Sequence, residues 1–381
     1  MLARSLRERD YQNAFHCAKA NLTVRILGTE GCCLEAREVL RFTVFACMKT
    51  RARSTAGIVT TLADAGLVMD SFIRYHLLIG FDHLFLFFDE PSDPSFRKAA
   101  KYPRVTAISR NASLRRAWKR SNLYGENEIL REFVDKEIMA RQELNVEIAI
   151  KLALEMKIQW LLHIDIDELF FPFCNSVGAH FKSLAEGNVD RVTYLNYEAI
   201  PERLHIGDYF KEVTLFKKSP SSFPSGSLND TQTRLIKSIP QLPASFFLFY
   251  GNGKQAARVT EQLLPHGVHR FRSSEGVDEV SENAVILHYA CCGFAHFWRK
   301  YRRLGNFSDV RLGFIDLAAL GNIFHLQARN ALLSGDRARV RDFYRERVVL
   351  EDEEQKGKLL KSGLCCRFHE PSLKLKATLR R

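Results

Sequence analysis

The segment WLLHIDIDELFFP, residues 160–172, sets the strongest limit on how this chain folds. Its apolar residues are typical of a buried strand. Two aspartates and a glutamate, Asp165, Asp167 and Glu168, interrupt the run. Burying unpaired carboxylates costs several kcal/mol, so the cluster requires a cation or a hydrogen-bond network. The segment therefore predicts a strand that brings acidic side chains to a binding site.

Strand and helix patterns alternate before this segment. Apolar, β-branched and aromatic runs predict strands, and apolar residues at helical spacing predict helices. The predicted order is strand 42–49, helix about 67–79 with Gly80 as its cap, strand 82–88, strand 104–109 and helix about 127–157. Such alternation favours a parallel sheet covered on both faces, and these sheets bind ligands beyond the carboxyl ends of their strands.

The pattern changes after residue 172. Short strands separated by Pro, Gly and Ser clusters are predicted over residues 191–199, 211–218, 233–238 and 246–251, and we expect them to form antiparallel hairpins that close over the site. A buried strand, 284–292, precedes an amphipathic helix, 294–305, and the remaining chain is predicted to be mostly helical.

These patterns predict an α/β fold with a mixed, mainly parallel sheet, helices on its faces, β-hairpin insertions and a helical C-terminal extension. The predicted divisions are an N-terminal extension 1–40, a main domain 41–305 and a C-terminal extension 306–381.

The net charge of +12 over 381 residues favours anionic partners such as nucleotides, acidic glycans, nucleic acid or membrane surfaces. The basic tract 97–120 contains only two aromatic residues, and single-strand binders need several stacking platforms, so we expect no nucleic-acid partner. No window contains the roughly 18 to 20 apolar residues that span a bilayer. The first residues lack the apolar core of a signal peptide. We therefore expect membrane association only through a segment outside this sequence.

The cysteines and sequons leave the cellular location open. The nine cysteines include three adjacent pairs but no CxxC pair, so a zinc ribbon is not expected. Four Asn-X-Ser/Thr sequons, which begin at Asn21, Asn111, Asn229 and Asn306, are compatible with a lumenal protein. We expect the Golgi or another endomembrane lumen if a leader or anchor lies outside this sequence, and the cytoplasm otherwise.

The Asp-X-Asp triplet of Asp165 and Asp167 is weak evidence by itself, because a chain with 18 aspartates contains about one such triplet by chance. Its position at the end of an apolar strand is more informative. Oxygen-rich carboxylate sites suit Mg²⁺ or Mn²⁺, and these ions commonly accompany a diphosphate. The alternative is a capped strand end whose carboxylates bind backbone amides.

Three blocks of sequence carry a family resemblance. The first is SFIRYHLLIGFDHLFLFFDEPSD (71–93), and the second is RQELNVEIAIKLALEMKIQWLLHIDIDELFFP (141–172). The third comprises YGNGKQAARV (250–259), PHGVHRF (265–271) and ILHY (286–289), followed by an aromatic and basic helix. In this order the blocks resemble glycosyltransferase family 92 and the related family-2-like glycosyltransferases. The resemblance spans about residues 42–305, and several motifs in order are more specific than any one of them.

The resemblance implies a GT-A fold, which is a Rossmann-like sheet that binds a nucleotide sugar, and sugar transfer with inversion. It also implies that Asp165 and Asp167 hold Mn²⁺ or Mg²⁺ against the donor diphosphate, with His288 completing the coordination. Lys49 and Thr50 follow the predicted first strand, where the family pattern approaches the nucleotide. The acidic residue that usually comes soon after this lysine is absent here.

Further residues are predicted to contact the donor or to act in catalysis. The predicted donor-contacting residues, beside Lys49 and Thr50, are Asp89, Arg141, Gln142, Asn145, Lys254 and His269. Among these, Lys254 is predicted to balance phosphate charge, with Gly251 and Gly253 allowing close approach of the backbone. The candidate bases that would deprotonate the acceptor hydroxyl are Glu198, Glu202 and Asp208. Glu168 is the candidate for a residue that supports the metal ligands.

The function that these predictions imply is metal-dependent transfer of a sugar from a UDP- or GDP-sugar to a hydroxyl group of a glycan, protein or lipid. Two alternatives remain open at this stage. One is a metal-dependent nucleotidyltransferase on a similar fold. The other is a non-catalytic module that binds glycans or polyanions, which the net charge favours.

Overall fold

The computed structural model describes residues 53–377, except residues 67, 174–175, 224–227, 244, 274–275 and 320–322. The predicted N-terminal extension, the predicted strand 42–49, Lys49 and Thr50 lie outside the described residues. The strands are β1 (Ala56–Leu62), β2 (His83–Phe88), β3 (Val105–Ser109), β4 (Trp160–His163), β5 (Glu168–Pro172), β6 (Arg191–Tyr194), β7 (Asn196–Ala199), β8 (Leu215–Lys217), β9 (Lys254–Arg258), β10 (Leu264–His266), β11 (Arg270–Arg272), β12 (Asp278–Val280), β13 (Ala284–His288), β14 (Val310–Arg311), β15 (Ile315–Asp316) and β16 (Cys365–Arg367).

The α-helices lie between and after these strands. They are α1 (Met69–Ile79), α2 (Ser95–Ala99), α3 (Ala112–Lys119), α4 (Asn122–Glu126), α5 (Glu128–Phe133), α6 (Ile138–Glu155), α7 (Val177–Glu186), α8 (Tyr209–Glu212), α9 (Asp230–Lys237), α10 (Phe294–Leu304), α11 (Ile323–Leu333), α12 (Arg337–Val348), α13 (Glu353–Lys361) and α14 (Glu370–Ala377). Among the described residues, no helix is both long and apolar enough to span a bilayer.

The larger sheet has seven strands in the order β12-β6-β9-β4-β1-β2-β3. Strands β4, β1, β2 and β3 run parallel, β12 runs parallel to β6, and β9 runs antiparallel to its neighbours β4 and β6. Every residue of β1 and β2 is buried, as expected for strands that are covered on both faces. The structure thus confirms the predicted α/β fold with a mixed, mainly parallel sheet flanked by helices.

Helices pack on both faces of this sheet. Ile58 of β1 lies in a core cluster with Phe72 of α1 and Phe181 of α7. Its neighbour Val59 points to the other face and lies in a cluster with Leu144 of α6. The alternation follows from the strand geometry, in which successive side chains point to opposite faces.

A second sheet of five strands has the order β16-β8-β7-β13-β5. Strand β13 runs parallel to β7, and the remaining neighbours run antiparallel. Strands β4 and β5 are consecutive in the chain but belong to different sheets. Residues 164–167, which contain both aspartates of the Asp-X-Asp triplet, therefore connect the two sheets.

Several element predictions are confirmed. The helix predicted over 67–79 is α1, and Gly80 caps it in the left-handed region with φ 112°. The strands predicted at 82–88, 104–109 and 284–292 correspond to β2, β3 and β13. The helix predicted over about 127–157 is present as α5 and α6, which are separate helices.

Other predictions after residue 172 are wrong. The predicted strand 233–238 is helical, because Asn229 and Gln232 form a reciprocal capping box that begins α9. The predicted strand 246–251 consists of bends and irregular backbone, and Phe246 has a positive φ of 66°, which no extended strand has. In the predicted strand 211–218 only β8 is a strand, and residues 211–212 belong to α8.

Candidate functional site

The Asp-X-Asp triplet lies in the link between β4 and β5, at the carboxyl end of a central strand of the larger sheet. Two hydrogen bonds anchor the start of this link to β1: the Ile164 amide donates to the Val59 carbonyl at 3.3 Å, and the Thr60 hydroxyl donates to the Ile164 carbonyl at 2.8 Å. The parallel order of β4, β1 and β2 places the link where open α/β sheets bind ligands. The predicted position of Asp165 and Asp167 at a strand end is thus confirmed.

Both carboxylate oxygens of Asp165 have partners. The Gln142 amide group on α6 donates to Oδ1 at 2.8 Å, and the Lys254 ammonium donates to Oδ2 at 2.6 Å. Lys254 is the first residue of β9, and β9 runs antiparallel to β4, so its start lies beside the end of β4. The Lys254 side chain is fully buried. The structure thus brings two predicted donor-contacting residues, Gln142 and Lys254, to Asp165.

Asp167 is paired with a second lysine. The Lys300 ammonium, on α10, lies 3.2 Å from Asp167 Oδ2 and also donates to the Ala290 carbonyl at 3.3 Å. The backbone of this position is fixed as well, because the Tyr289 amide donates to the Asp167 carbonyl at 2.8 Å. Burial raises the pKa of Asp167, but the neighbouring basic groups, Lys300 foremost, together outweigh that effect and lower the pKa to about 2. The Asp167 carboxylate is therefore charged at neutral pH.

Glu168 lies behind the two aspartates and is fully buried. Its Oε2 accepts a hydrogen bond from the Asp165 amide at 2.7 Å and lies 3.5 Å from the Lys254 ammonium. Its Oε1 has no hydrogen-bond partner among the described residues. Burial raises the pKa of Glu168 to about 8, although Lys254 acts in the opposite direction. Glu168 is therefore largely protonated at neutral pH. It holds the backbone of the Asp-X-Asp link by accepting the hydrogen bond from the Asp165 amide.

Four histidines surround this charged cluster. His288, the last residue of β13, pairs with Glu168 across the second sheet, and its buried Nδ1 has no hydrogen-bond partner among the described residues. His163, at the end of β4, is fully buried, and burial with help from nearby Lys254 lowers its pKa to about 3. His269 and His325 complete the group, and burial lowers the pKa of each of them. These rings are therefore neutral at neutral pH.

The residues expected to bind a divalent cation do not form a ligand group. Within the described part of the chain, no three or more His, Cys, Asp or Glu side chains are placed to hold one metal ion. Each oxygen of Asp165 already accepts a hydrogen bond, one from Gln142 and one from Lys254. The donor set therefore does not fit a metal ion as it is arranged, and metal ligation by Asp165, Asp167 and His288 stays a prediction.

Three predicted donor-contacting residues, Asn145, Arg141 and Asp89, have structural partners. The amide of Asn145 donates to the Thr61 hydroxyl and accepts from the Trp118 indole, each at 2.9 Å, and Asn145 is buried. Arg141 binds Asp89 through two hydrogen bonds of 2.5 and 2.8 Å, which form a two-pronged ion pair at the end of β2.

His269 lies closer to the charged cluster. Its Nδ1 is 2.8 Å from the Asn252 side-chain oxygen, and its ring centroid is 4.2 Å from that of Tyr250. Tyr250 also packs against His288, with ring centroids 4.9 Å apart. His269 thus lines the same region as His288.

Each of the three carboxylates predicted as bases is already bound to a cation. Glu198 is buried, pairs with Lys217, and accepts hydrogen bonds from the Leu248 and Phe249 amides. The other two pairs connect Glu202 with Arg367 and Lys356, and Asp208 with Lys211. These contacts give the three carboxylates structural roles and offer no support for a catalytic one.

Sequence reasoning missed Lys300, His163 and Tyr250. Lys300 lies on the basic side of the amphipathic helix 294–305, where a lysine that enters a site has the same pattern as one on a solvated face. His163 and Tyr250 lie within the blocks that carry the family resemblance, but neither has a spacing signal of its own.

Comparison with known proteins relates the chain to plant proteins. It is 32% identical over 333 residues to a glycosyltransferase-like protein of Arabidopsis thaliana, covering 82% of this chain and 62% of that protein. It is 30% identical over 329 residues to a second glycosyltransferase-like protein of Arabidopsis thaliana, covering 82% of this chain and 70% of that protein. The chain thus spans less than two thirds of the first relative. No protein-family model matches the chain.

Among solved structures, the core-mannan synthase A of Aspergillus fumigatus in its Mn/GDP form matches over 56% of this chain and 63% of that chain. The sequence identity is 12% and the TM-score is 0.26. The assignment to glycosyltransferase family 92 stays a prediction.

Proposed function

The chain belongs to the family of these glycosyltransferase-like proteins, and from that premise we propose that it transfers a sugar from a nucleotide-sugar donor to a hydroxyl group. The donor would be a UDP- or GDP-sugar, and the acceptor a glycan, protein or lipid. One observation carries the proposal: the Asp-X-Asp link lies at the carboxyl edge of the parallel strands, where sheets of this kind bind nucleotides. The side chains of Asp165 and Asp167 are 27% and 18% exposed, so a ligand can reach both.

The proposed reaction is a direct displacement with inversion at the anomeric carbon. The acceptor oxygen forms a bond to that carbon while the bond from the carbon to the diphosphate oxygen breaks. The acceptor hydroxyl gives its proton to a base, and the nucleoside diphosphate leaves with the bonding electrons. The site must therefore stabilise negative charge that grows on the diphosphate. Metal dependence, which the family-92 resemblance implies, stays a separate prediction.

A double substitution, Asp165→Asn with Asp167→Asn, tests the location of the site. These changes keep side-chain size but remove the charges that hold the Lys254 and Lys300 ammonium groups in place, so we expect transfer to fall about 100-fold or more. The measurement is turnover of a panel of radiolabelled UDP- and GDP-sugars, with product analysis and circular dichroism of each variant. The matched control is Asp135→Asn with Asp342→Asn, two exposed aspartates in surface ion pairs, which should leave turnover unchanged.

Two outcomes would contradict the proposal. Incorporation of labelled nucleotide instead of sugar into product would identify a nucleotidyltransferase. A chain that binds polyanions but neither binds nor turns over nucleotide sugars would be a non-catalytic module.

A further inference from the structure

The Asp-X-Asp link contains two ion pairs of the same kind. Asp165 pairs with Lys254 at 2.6 Å, and Asp167 pairs with Lys300 at 3.2 Å. We refer to Lys254 and Lys300 as the lysine pair. The two ammonium groups carry together the charge that a divalent cation would bring to the two carboxylates.

The lysine pair is built into the fold. Lys254 begins β9 and Lys300 lies in α10, and both ammonium groups lie over consecutive aromatic rings of one segment. The Lys254 Nζ is 5.2 Å from the centroid of the Tyr250 ring, and the Lys300 Nζ is 5.6 Å from that of the Phe249 ring. An ammonium at this distance from an aromatic face is attracted by it, so the rings help to fix both charges.

The two lysines differ in their access to a ligand. Lys254 is fully buried behind Asp165, whereas the Lys300 side chain is 29% exposed. A diphosphate that enters the site can therefore contact Lys300 directly. Lys254 acts from behind, through Asp165.

A divalent cation bound to Asp165 would lie close to the Lys254 ammonium, and the two like charges would repel each other. Each oxygen of Asp165 already accepts a hydrogen bond, Oδ1 from Gln142 and Oδ2 from Lys254. Displacing Lys254 would leave a buried ammonium without its main partner, which is strongly unfavourable. The described residues also provide no group of three metal ligands.

We infer that the lysine pair takes the place of a divalent cation: Lys300 binds the donor diphosphate, Lys254 holds Asp165, and their charges stabilise the departing nucleoside diphosphate. An ammonium is a strong phosphate-binding group and can supply the electrostatic stabilisation that the transition state requires. The inference rests on the proposed function, because it assigns the charge source for the same reaction.

Calorimetry with UDP and GDP tests the inference on the full chain. The titration is made after treatment with EDTA and again with added Mn²⁺. We expect the wild-type affinity to agree within about twofold between the two conditions. Radiolabelled sugar transfer, measured in parallel, should likewise continue in EDTA.

The variant Lys300→Gln tests whether Lys300 binds the donor diphosphate. Because it removes the accessible ammonium, the affinity for the nucleoside diphosphate should fall about tenfold or more. Lys300→Arg keeps a positive charge and should retain most of the affinity. The matched control is Lys358→Gln, which removes an exposed helical lysine that also pairs with a carboxylate, and should leave affinity unchanged.

The possible failures are distinct. If EDTA abolishes nucleotide binding by the wild type and Mn²⁺ restores it, the lysine pair does not replace the cation, although the proposed function stands. The same holds if folded Lys300→Gln binds as tightly as the wild type in EDTA. If neither condition gives binding or transfer, the proposed function fails and the inference fails with it.

Discussion

At the scale of single residues, Glu168 combines full burial with only partial hydrogen bonding. One oxygen accepts the Asp165 amide, and the other has no partner among the described residues. The Lys254 ammonium is closer to Asp165 than to Glu168, at 2.6 Å compared with 3.5 Å. Burial therefore dominates and raises the pKa of Glu168 from 4.5 to about 8.

This shift makes stability depend on pH. Between about pH 4.5 and 8 the folded chain keeps a proton on Glu168 that the unfolded chain has released. The contribution of Glu168 to the free energy of unfolding is therefore highest below the pKa that Glu168 has in the unfolded chain. It falls as the pH rises through the window and levels off above the pKa that Glu168 has in the folded chain.

Glu168→Gln should remove that dependence, because glutamine cannot lose the proton. Its free energy of unfolding, relative to the wild type, should rise with pH across the window by up to about 1.4 kcal/mol per pH unit. Urea denaturation at intervals from pH 5 to 9 measures the difference. Glu186→Gln, at an exposed position of α7, is the control. Parallel pH curves for Glu168→Gln and the wild type would show that Glu168 is ionised in the folded chain.

Part of the site was predictable from single residues, and part was not. Asp165 and Lys254 were recognised because each lies within a motif, and the structure brings them together. Lys300 was missed because its partner Asp167 is 133 residues away in the sequence, and only tertiary packing joins them. Asn145 was assigned to the donor, but its partners Thr61 and Trp118 are likewise set by packing.

At the scale of elements, the turn before β9 places Lys254. Gly253 has φ +75°, and an added Cβ there would lie 2.3 Å from the Tyr194 carbonyl oxygen. Its amide also donates to the Asn196 side chain at 3.0 Å. Glycine is therefore required at this position both for the backbone conformation and for the close approach to β6. The motif GNGK thus predicted the site for a physical reason.

Gly253→Ala should displace the start of β9. The positive φ and the contact with a backbone oxygen together should lower the free energy of unfolding by about 2 kcal/mol or more. Gly251→Ala is a matched control in the same turn, because its Cβ would meet the Phe247 side chain at an ordinary 3.6 Å. Urea denaturation compares the two variants, and equal losses would contradict this role for Gly253.

Element predictions held where apolar burial decides the structure and were wrong where local polar contacts decide it. β2 and β13 are fully buried strands, and their apolar runs predicted them. α9 was predicted as a strand, although the capping box of Asn229 and Gln232 was present in the sequence. A short segment with few apolar residues gives little periodicity, so the cap is the better signal there.

At the scale of the whole molecule, the C-terminal segment completes both layers of the fold. Strand β16 pairs with β8 at the edge of the second sheet. Phe368 packs against Phe171, Phe216 and Tyr197. Helix α14 then places Leu375, which is 1% exposed, in the core cluster beneath the larger sheet. The sequence predicted only that this region is mostly helical, since a few buried residues decide how it packs.

Two leucines of α14 test how far the molecule depends on this packing. Leu375→Ala should lower the free energy of unfolding by about 2–5 kcal/mol, because it leaves a cavity in the shared core. Leu373→Ala, two residues away on the exposed side of α14 and 64% exposed, should change it by less than about 0.5 kcal/mol. Thermal unfolding followed by both circular dichroism and tryptophan fluorescence should show one transition that Leu375→Ala moves as a whole. Leu375→Ala could instead produce a minor C-terminal unfolding transition and leave the main transition unchanged. In that case α14 unfolds independently, and the core that supports the Asp-X-Asp link is stable without it.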